Sequence, residues 1–184
     1  MNNIDPSGLW KENVHNKATI SWVKEVGFMT WQAEILGYGS HNVDWTRETM
    51  PYVGDNSWHV KVNGKDSRKS HARRERKKAI KAWKAGNKGC SGAKAIKREE
   101  ALWALGKGLH PLQDVYSHGN IKWHAPFIHF FDEINYDWKK GSNKTKVERS
   151  SSNKGKRYWQ TKKATKKYLK KFIKKIGGKN KLIF

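Results

Sequence analysis

The amino-acid sequence predicts an all-α fold, a compact bundle of five or six helices. Apolar residues recur at intervals of three or four along several segments, which is the spacing of one face of a helix. No segment shows a strong alternation of apolar and polar residues, the pattern that a half-buried strand would require. Ten Trp, six Tyr and six Phe give the 184 residues enough bulky apolar material for one core.

Five segments carry the helical pattern. The first covers residues 15–27, and the second covers residues 68–85, where Ala72, Ala79 and Trp83 form an apolar seam. The glycine-rich sequence GNKGCSG is expected to end the second helix. The other three predicted helices cover residues 94–118, 125–138 and 157–178.

Two stretches are predicted to be irregular, residues 44–66 and the polar loop at residues 140–156. Long loops often carry functional residues, so the first of them is a candidate for part of a site. No internal repeat is present, and residues 10–184 are expected to form a single domain.

The net charge of +23 is the strongest feature of the composition. It indicates an anionic partner, either nucleic acid, an acidic membrane surface or an acidic protein, although excess lysine can also serve only solubility. No charged segment followed by an apolar one opens the sequence, and no 18 consecutive residues are apolar, so neither a signal peptide nor a transmembrane helix is expected. Cys90 is the single cysteine, which excludes an internal disulfide and a cysteine-based zinc cluster.

The predicted helix 157–178 carries lysines opposite its apolar face. Such a helix can lie on an anionic bilayer, with about 1 kcal/mol contributed by each lysine near the surface. It can equally be a packed helix with a solvated outer face. The candidate membrane- or polyanion-binding residues are Lys162, Lys163, Lys166, Lys167, Lys170, Lys171, Lys174 and Lys175.

The sequence LHPLQDVYSHGN holds three side chains that can bind metal. His110, Asp114 and His118 follow one another at intervals of four, so a helix projects them from one face. A single helical histidine is commonly a hydrogen-bonded structural residue. Three such groups among core-facing leucines would be costly to bury without a ligand, so they indicate a metal site.

Further candidate ligands lie on both sides of this sequence. His129 and Glu133 are spaced four apart in the next predicted helix, Asp44 and His59 lie in the irregular stretch, and His15 begins the first helix. Imidazole and carboxylate ligands without a usable thiolate favour zinc, although manganese or iron would also accept them.

The order of these residues resembles that of the zinc-dependent phospholipases C and the related fungal single-strand nucleases. These are all-α proteins that hold three zinc ions in a cleft. The resemblance spans residues 10–138, and the nine matching positions are Trp10, His15, Asp44, His59, His110, Asp114, His118, His129 and Glu133.

The resemblance also implies how two to three zinc ions are held. The expected first site consists of Asp44, His59, His110 and Asp114. The expected second site consists of His118, His129 and Glu133, and His124 is an alternative to His118 because the interval after Asp114 is shorter than in the family. The third site would use the amino terminus of Trp10 and His15, with Asp114 bridging.

The resemblance further implies hydrolysis of a phosphodiester, with Asp44 as general base. Glu133 and the lysine-rich helix favour the headgroups of membrane phospholipids as substrate. The short interval between Trp10 and His15 favours the alternative, single-stranded nucleic acid. A second alternative is a cationic membrane-disrupting domain whose metals are only structural. His41 and His71 are interpreted as structural or exposed.

The sequence DPSGL at residues 5–9 resembles the end of the Rhs or YD-repeat core of polymorphic toxins, where self-cleavage follows the final leucine. Residues 1–9 would then be a remnant of the cleavage site, and Trp10 would become the free amino terminus that the third zinc requires. The resemblance implies an antibacterial or antihost toxin that is secreted or delivered into a target cell. Its expected partners are the Rhs shell before release and an acidic immunity protein, and a monomer is expected.

Overall fold

The computed structural model describes residues 13–50, 53–88, 90–117 and 153–182. Over these ranges the chain is helical, with an isolated antiparallel bridge between Val62 and Lys65 and no β-strand. The all-α prediction is therefore confirmed. None of the helices in these ranges combines the length and the apolarity needed to cross a bilayer.

Five α-helices lie within the described residues. In chain order they are α1 (Thr19–Val26), α2 (Thr30–His41), α3 (Arg68–Gly86), α4 (Ser91–Ser117) and α5 (Asn153–Ile176). Shorter turns accompany them, a π-helical segment at Asn13–Ala18 and 3-10 turns at Asn42–Asp44, Asn56–Trp58 and Lys179–Lys181.

The helices α1, α3 and α4 lie where the sequence predicts them. The break at GNKGCSG is also confirmed, because α3 ends at Gly86 and α4 begins at Ser91. The described residues of the stretch 44–66, which are 44–50 and 53–66, are irregular apart from short turns, again as predicted. The predicted helix 125–138 and residues 1–9 lie outside the described residues.

The central helix is α4, which packs against α2, α3 and α5. Leu102, Leu105 and Leu109 on α4 are fully buried, whereas Ile96, nearer its start, is exposed. Trp83 of α3 meets Phe172 of α5 edge-on, with ring centroids 5.6 Å apart. Each buried large apolar side chain contributes about 1.5–3 kcal/mol, so this cluster holds three helices around α4.

The helix α2 was not predicted, because two glycines within WQAEILGYGS lower its helical propensity. The structure shows why glycine is needed at the contact between α2 and α4. A Cβ atom added to Gly39 would lie 3.0 Å from the carbonyl oxygen of Trp103, and one added to Gly106 would lie 2.5 Å from that of Leu36. The backbones of α2 and α4 therefore approach too closely for larger residues.

The observed bounds of α5 differ from the predicted bounds of 157–178. The helix begins at Asn153, inside the predicted loop 140–156, whose first part lies outside the described residues. It ends at Ile176 because Gly177 and Gly178 have φ of 103° and 101°, and the Gly178 N–H donates to the carbonyl of Ile173. This arrangement is typical of helix carboxyl termini.

Two of the predicted surface lysines hold α5 against α1. The ammonium nitrogens of Lys162 and Lys166 lie 3.0 and 2.8 Å from the carboxylate oxygens of Glu25. The other six predicted lysines of α5 are exposed.

We predict that Gly106→Ala destabilises the protein by about 1–3 kcal/mol, the usual cost of forcing extra volume into a packed contact. The added methyl group meets the backbone of Leu36, which cannot rotate away. Urea denaturation measures this change in the free energy of unfolding.

The matched control is Gly92→Ala, in the first turn of the same helix. A Cβ atom there has nothing within 4 Å. This substitution should be neutral or stabilise the protein by up to about 1 kcal/mol. Equal effects of the two substitutions would contradict the close contact between α2 and α4.

Candidate metal centre

Five of the nine predicted ligands meet at one place in the structure. His15 comes from the π-helical segment, Asp44 from the 3-10 turn after α2, His59 from the turn that follows Trp58, and His110 and Asp114 from α4. Four of these side chains are 0–1% exposed, and Asp44 is 14% exposed. We call this set the His–Asp cluster.

Four donor atoms of the His–Asp cluster face one small volume. His110 Nε2 lies 3.1 Å from Asp114 Oδ2 and 3.4 Å from Asp44 Oδ1. His59 Nδ1 lies 3.2 and 3.7 Å from the same two oxygens, and the two nitrogens are 3.0 Å apart. Four ligands bound tetrahedrally to one zinc at 2.0–2.2 Å would lie about 3.3–3.6 Å apart. The buried cluster can therefore hold a metal ion.

The hydrogen bonds on the far side of two rings determine where their protons lie. His110 Nδ1 donates to the carbonyl oxygen of Ser40 at 2.8 Å, and His59 Nε2 donates to that of Thr49 at 2.6 Å. A backbone carbonyl can only accept, so these nitrogens carry the ring protons. In the neutral rings, His110 Nε2 and His59 Nδ1 then present lone pairs to the shared volume, as metal ligands do.

His15 lies on the other side of Asp114. Its ring stacks on that of His110, with centroids 4.0 Å apart. His15 Nε2 is buried without a hydrogen-bond partner among the described residues, and it lies 3.3 Å from Asp114 Oδ1. The two oxygens of Asp114 thus face different histidines, the arrangement in which one carboxylate can bridge two metal ions.

The charges in the cluster are strongly coupled. Burial lowers the pKa of His110 to about 3, and the neighbouring His15 adds to this effect. Burial also works against protonation of His59, but the hydrogen bond and charge of Asp114 and the charge of Asp44 outweigh it and raise the pKa of His59. Burial works against ionisation of Asp114, but its contacts with His110, His15 and His59 hold its pKa well below the usual value. The charges around the metal-free cluster therefore favour protonation of His59 over protonation of His110, because the pKa of His59 is raised and that of His110 is lowered.

Arg68 supports the cluster from the backbone side, a role that no pattern in the sequence indicates. Its guanidinium donates to the carbonyl oxygens of Asp114 and His59 at 2.6 and 3.3 Å. It also pairs with Asp66 at 2.9 Å, and its side chain is 1% exposed. Arg68 therefore fixes the positions of two candidate ligands through their main chains.

The remaining predicted ligands, Trp10, His118, His129 and Glu133, lie outside the described residues, as does the alternative His124. The second site and part of the third therefore stay predictions.

The two histidines interpreted as structural lie outside the His–Asp cluster. His41 accepts a hydrogen bond from the indole of Trp45 at 3.2 Å. His71 stacks on Trp58, with ring centroids 4.6 Å apart, and its Nε2 lies 2.8 Å from Ser57 Oγ.

No protein-family model matches the chain, and no similar curated protein or solved structure was found. The resemblance to the zinc-dependent phospholipases C therefore rests on the nine ordered residues and stays a prediction. Metal binding itself is supported by the geometry of the five described members.

We predict that zinc stabilises the chelator-treated protein, because a cation offsets the charge of two carboxylates buried together. At a free zinc concentration about 1,000 times the Kd, the gain in free energy of unfolding should be about 4 kcal/mol. Thermal unfolding with and without added zinc measures the shift.

His110→Ala should abolish most of this shift, whereas His41→Ala is the matched histidine control and should retain it. A shift of the same size in both variants, or none in the parent protein, would contradict binding at the His–Asp cluster.

Proposed function

We propose that the protein is a zinc-dependent phosphodiester hydrolase that cleaves membrane phospholipids in the manner of a phospholipase C. One observation carries the proposal: three histidines and two aspartates from separate parts of the chain direct their donor atoms to one buried region. An all-α fold with this ligand set is what the resemblance implies. Two to three zinc ions are proposed, the further ligands being those outside the described residues.

Asp44 is the member of the cluster best placed to meet the substrate. When bound, zinc would neutralise charge on the phosphoryl oxygens and lower the pKa of a water molecule. Among the five described members, Asp44 is the one that is partly exposed, so substrate and water would approach from its side. Its carboxylate would accept the proton of the attacking water as general base.

The outer face of α5 favours a lipid surface as the place of action. Trp159 is 44% exposed and, with the lysines of α5, lines an open groove. The ammonium of Lys162 lies 5.4 Å from the centroid of its ring. An exposed tryptophan among lysines on an amphipathic helix is typical of segments that lie at the membrane interface.

The second candidate function is a single-strand nuclease, and a groove on α3 favours it. This groove is lined by Ser70, Arg73, Arg74, Lys77, Lys78 and Lys81. Such a row of cations suits a phosphate backbone, and the exposed Trp45, next to Asp44, offers a surface on which a base can stack. The third candidate, a membrane-disrupting domain with structural metals, predicts damage to membranes without phosphodiester cleavage.

The biological setting is proposed from the resemblance of residues 5–9 to the Rhs cleavage sequence. The domain would act as a toxin after release from its shell, and its cationic surface would suit an acidic immunity protein.

We predict that Asp114→Ala reduces phosphodiester hydrolysis to the background rate, because Asp114 faces both groups of candidate ligands. Headgroup release from anionic liposomes and degradation of single-stranded DNA and RNA are measured side by side. His41→Ala should retain the parent activity.

The substrate that the parent protein cleaves decides between the first two candidates. Leakage of liposomes that survives Asp114→Ala without any hydrolysis would support the third candidate and contradict the metal mechanism.

We also predict that a protein starting at Trp10 binds one more zinc than a protein starting at Met1. The amide nitrogen of an internal Trp10 has no lone pair to offer, whereas a free amine does. Elemental analysis of both preparations gives the metal content, and their rates of hydrolysis should differ in the same direction. Equal metal content and equal rates would show that residues 1–9 do not block a metal site.

A further inference from the structure

We propose that Gln113 is a positioning residue that fixes the tautomer of His15, so that the ring presents a lone pair to a metal ion. The proposal rests on the proposed metal centre, and it concerns a side chain that touches neither metal nor substrate. Gln113 lies on α4 directly before Asp114 and is fully buried.

The amide of Gln113 joins four separate helical segments. Its Oε1 lies 2.8 Å from His15 Nδ1 and 3.3 Å from Ser40 Oγ. Its Nε2 donates to Thr19 Oγ1 at 2.8 Å and to Thr165 Oγ1 at 3.3 Å. Both ends of the buried amide are therefore satisfied.

These contacts determine which way the amide points. The hydroxyl of Thr19 donates to the carbonyl oxygen of Val14 at 2.8 Å, and that oxygen can only accept. The oxygen of Thr19 is then left to accept, so the NH₂ group of Gln113 must face Thr19. The amide oxygen consequently faces His15.

The direction of the amide fixes the proton on His15. An amide oxygen can only accept, so the hydrogen bond requires the proton on His15 Nδ1. Nε2 then carries the lone pair, and this atom faces Asp114 Oδ1 at 3.3 Å. With the opposite tautomer, an N–H group would point into the metal-binding region and block coordination.

His15 differs from the other two rings in how its proton is fixed. Backbone carbonyls of Ser40 and Thr49 hold the protons of His110 and His59, and no side-chain substitution removes those acceptors. The acceptor for His15 is a side chain. The tautomer of His15 is thus the one that a single substitution can change.

Gln113 also links several helices through its hydrogen bonds. Its contribution to stability is therefore a different role from fixing the tautomer of His15. A structural role predicts that any break in this hydrogen-bond network lowers stability, with no specific effect on His15. Positioning predicts that only loss of the acceptor at Nδ1 changes the tautomer and the metal affinity.

The test uses three variants of the full chain. Gln113→Met keeps the approximate shape and removes the acceptor, whereas Gln113→Glu keeps an oxygen for His15. Thr165→Val is the matched control, because it breaks a hydrogen bond at the other end of the same amide. Nitrogen-15 NMR of the histidine rings in zinc-free protein reports the tautomer, and titration with zinc against a competing chelator reports the affinity.

In the parent protein and in Gln113→Glu, we expect the His15 proton on Nδ1. In Gln113→Met we expect Nε2 to carry the proton in a large fraction of molecules, and at least one zinc to bind about 10- to 100-fold more weakly. Thr165→Val should lower the melting temperature and leave both the tautomer and the affinity unchanged.

Two results would overturn the role of Gln113. One is a parent His15 that carries its proton on Nε2, which can be observed even if Gln113→Met does not fold. The other is a loss of zinc affinity in Thr165→Val as large as that in Gln113→Met. A parent protein with the expected tautomer that binds no zinc would instead overturn the proposed function.

Discussion

The burial of the Asp114 carboxylate is the constraint on which the rest of the centre depends. Moving an ionised carboxylate out of water costs several kcal/mol even after the protein relaxes. The structure places three ring nitrogens around the side chain, where a protonated ring or a cation can offset this cost, and Arg68 donates to its main-chain carbonyl. The π-helical segment, the turn that follows Trp58 and the last third of α4 each supply one of these histidines. Their mutual placement therefore follows from one buried charge.

The same constraint links metal binding to folding. In the metal-free cluster, Asp114 and Asp44 favour a proton on His59, because they raise its pKa against the effect of burial. A divalent ion would supply more charge at the same place and would use lone pairs that the neutral rings already direct inward. Stability and metal ligation would therefore depend on the same hydrogen bonds, so the carbonyls of Ser40 and Thr49 would matter as much as the rings.

The periodicity of the sequence predicted those features that arise between neighbouring turns of one helix. His110 and Asp114 were found together because a spacing of four places both on one face, and α3 and α4 were found by their apolar seams. The helix α2 was missed because Gly39 lowers helical propensity. The glycine allows α2 to pack closely on α4, but that contact involves residues distant in the sequence. The partner of His15 was missed for the same reason, since Gln113 lies 98 positions away. The hydrogen bonds to the backbone carbonyls of Ser40 and Thr49 could not be predicted, because every residue type carries such a carbonyl.

The surface charge and the His–Asp cluster would contribute differently to the choice of substrate, the charge to attraction and the cluster to selection. Cationic grooves on α3 and α5 raise the local concentration of any polyanion, so they would attract a bilayer and a nucleic acid alike. Attraction by charge alone weakens with salt for both, so a preference must come from other contacts, such as the exposed Trp159 beside the groove of α5. For the proposed phosphodiester substrate, selection would require contacts at the place where the substrate would meet the His–Asp cluster. Because Asp44 is the partly exposed member and the indole of the neighbouring Trp45 is exposed, those contacts would begin with an aromatic surface beside a carboxylate. Such a pair can hold the quaternary ammonium of a lipid headgroup by cation–π attraction, or it can hold a stacked base. The choice between lipid and nucleic acid would therefore depend on the other residues that line the substrate's approach to Asp44.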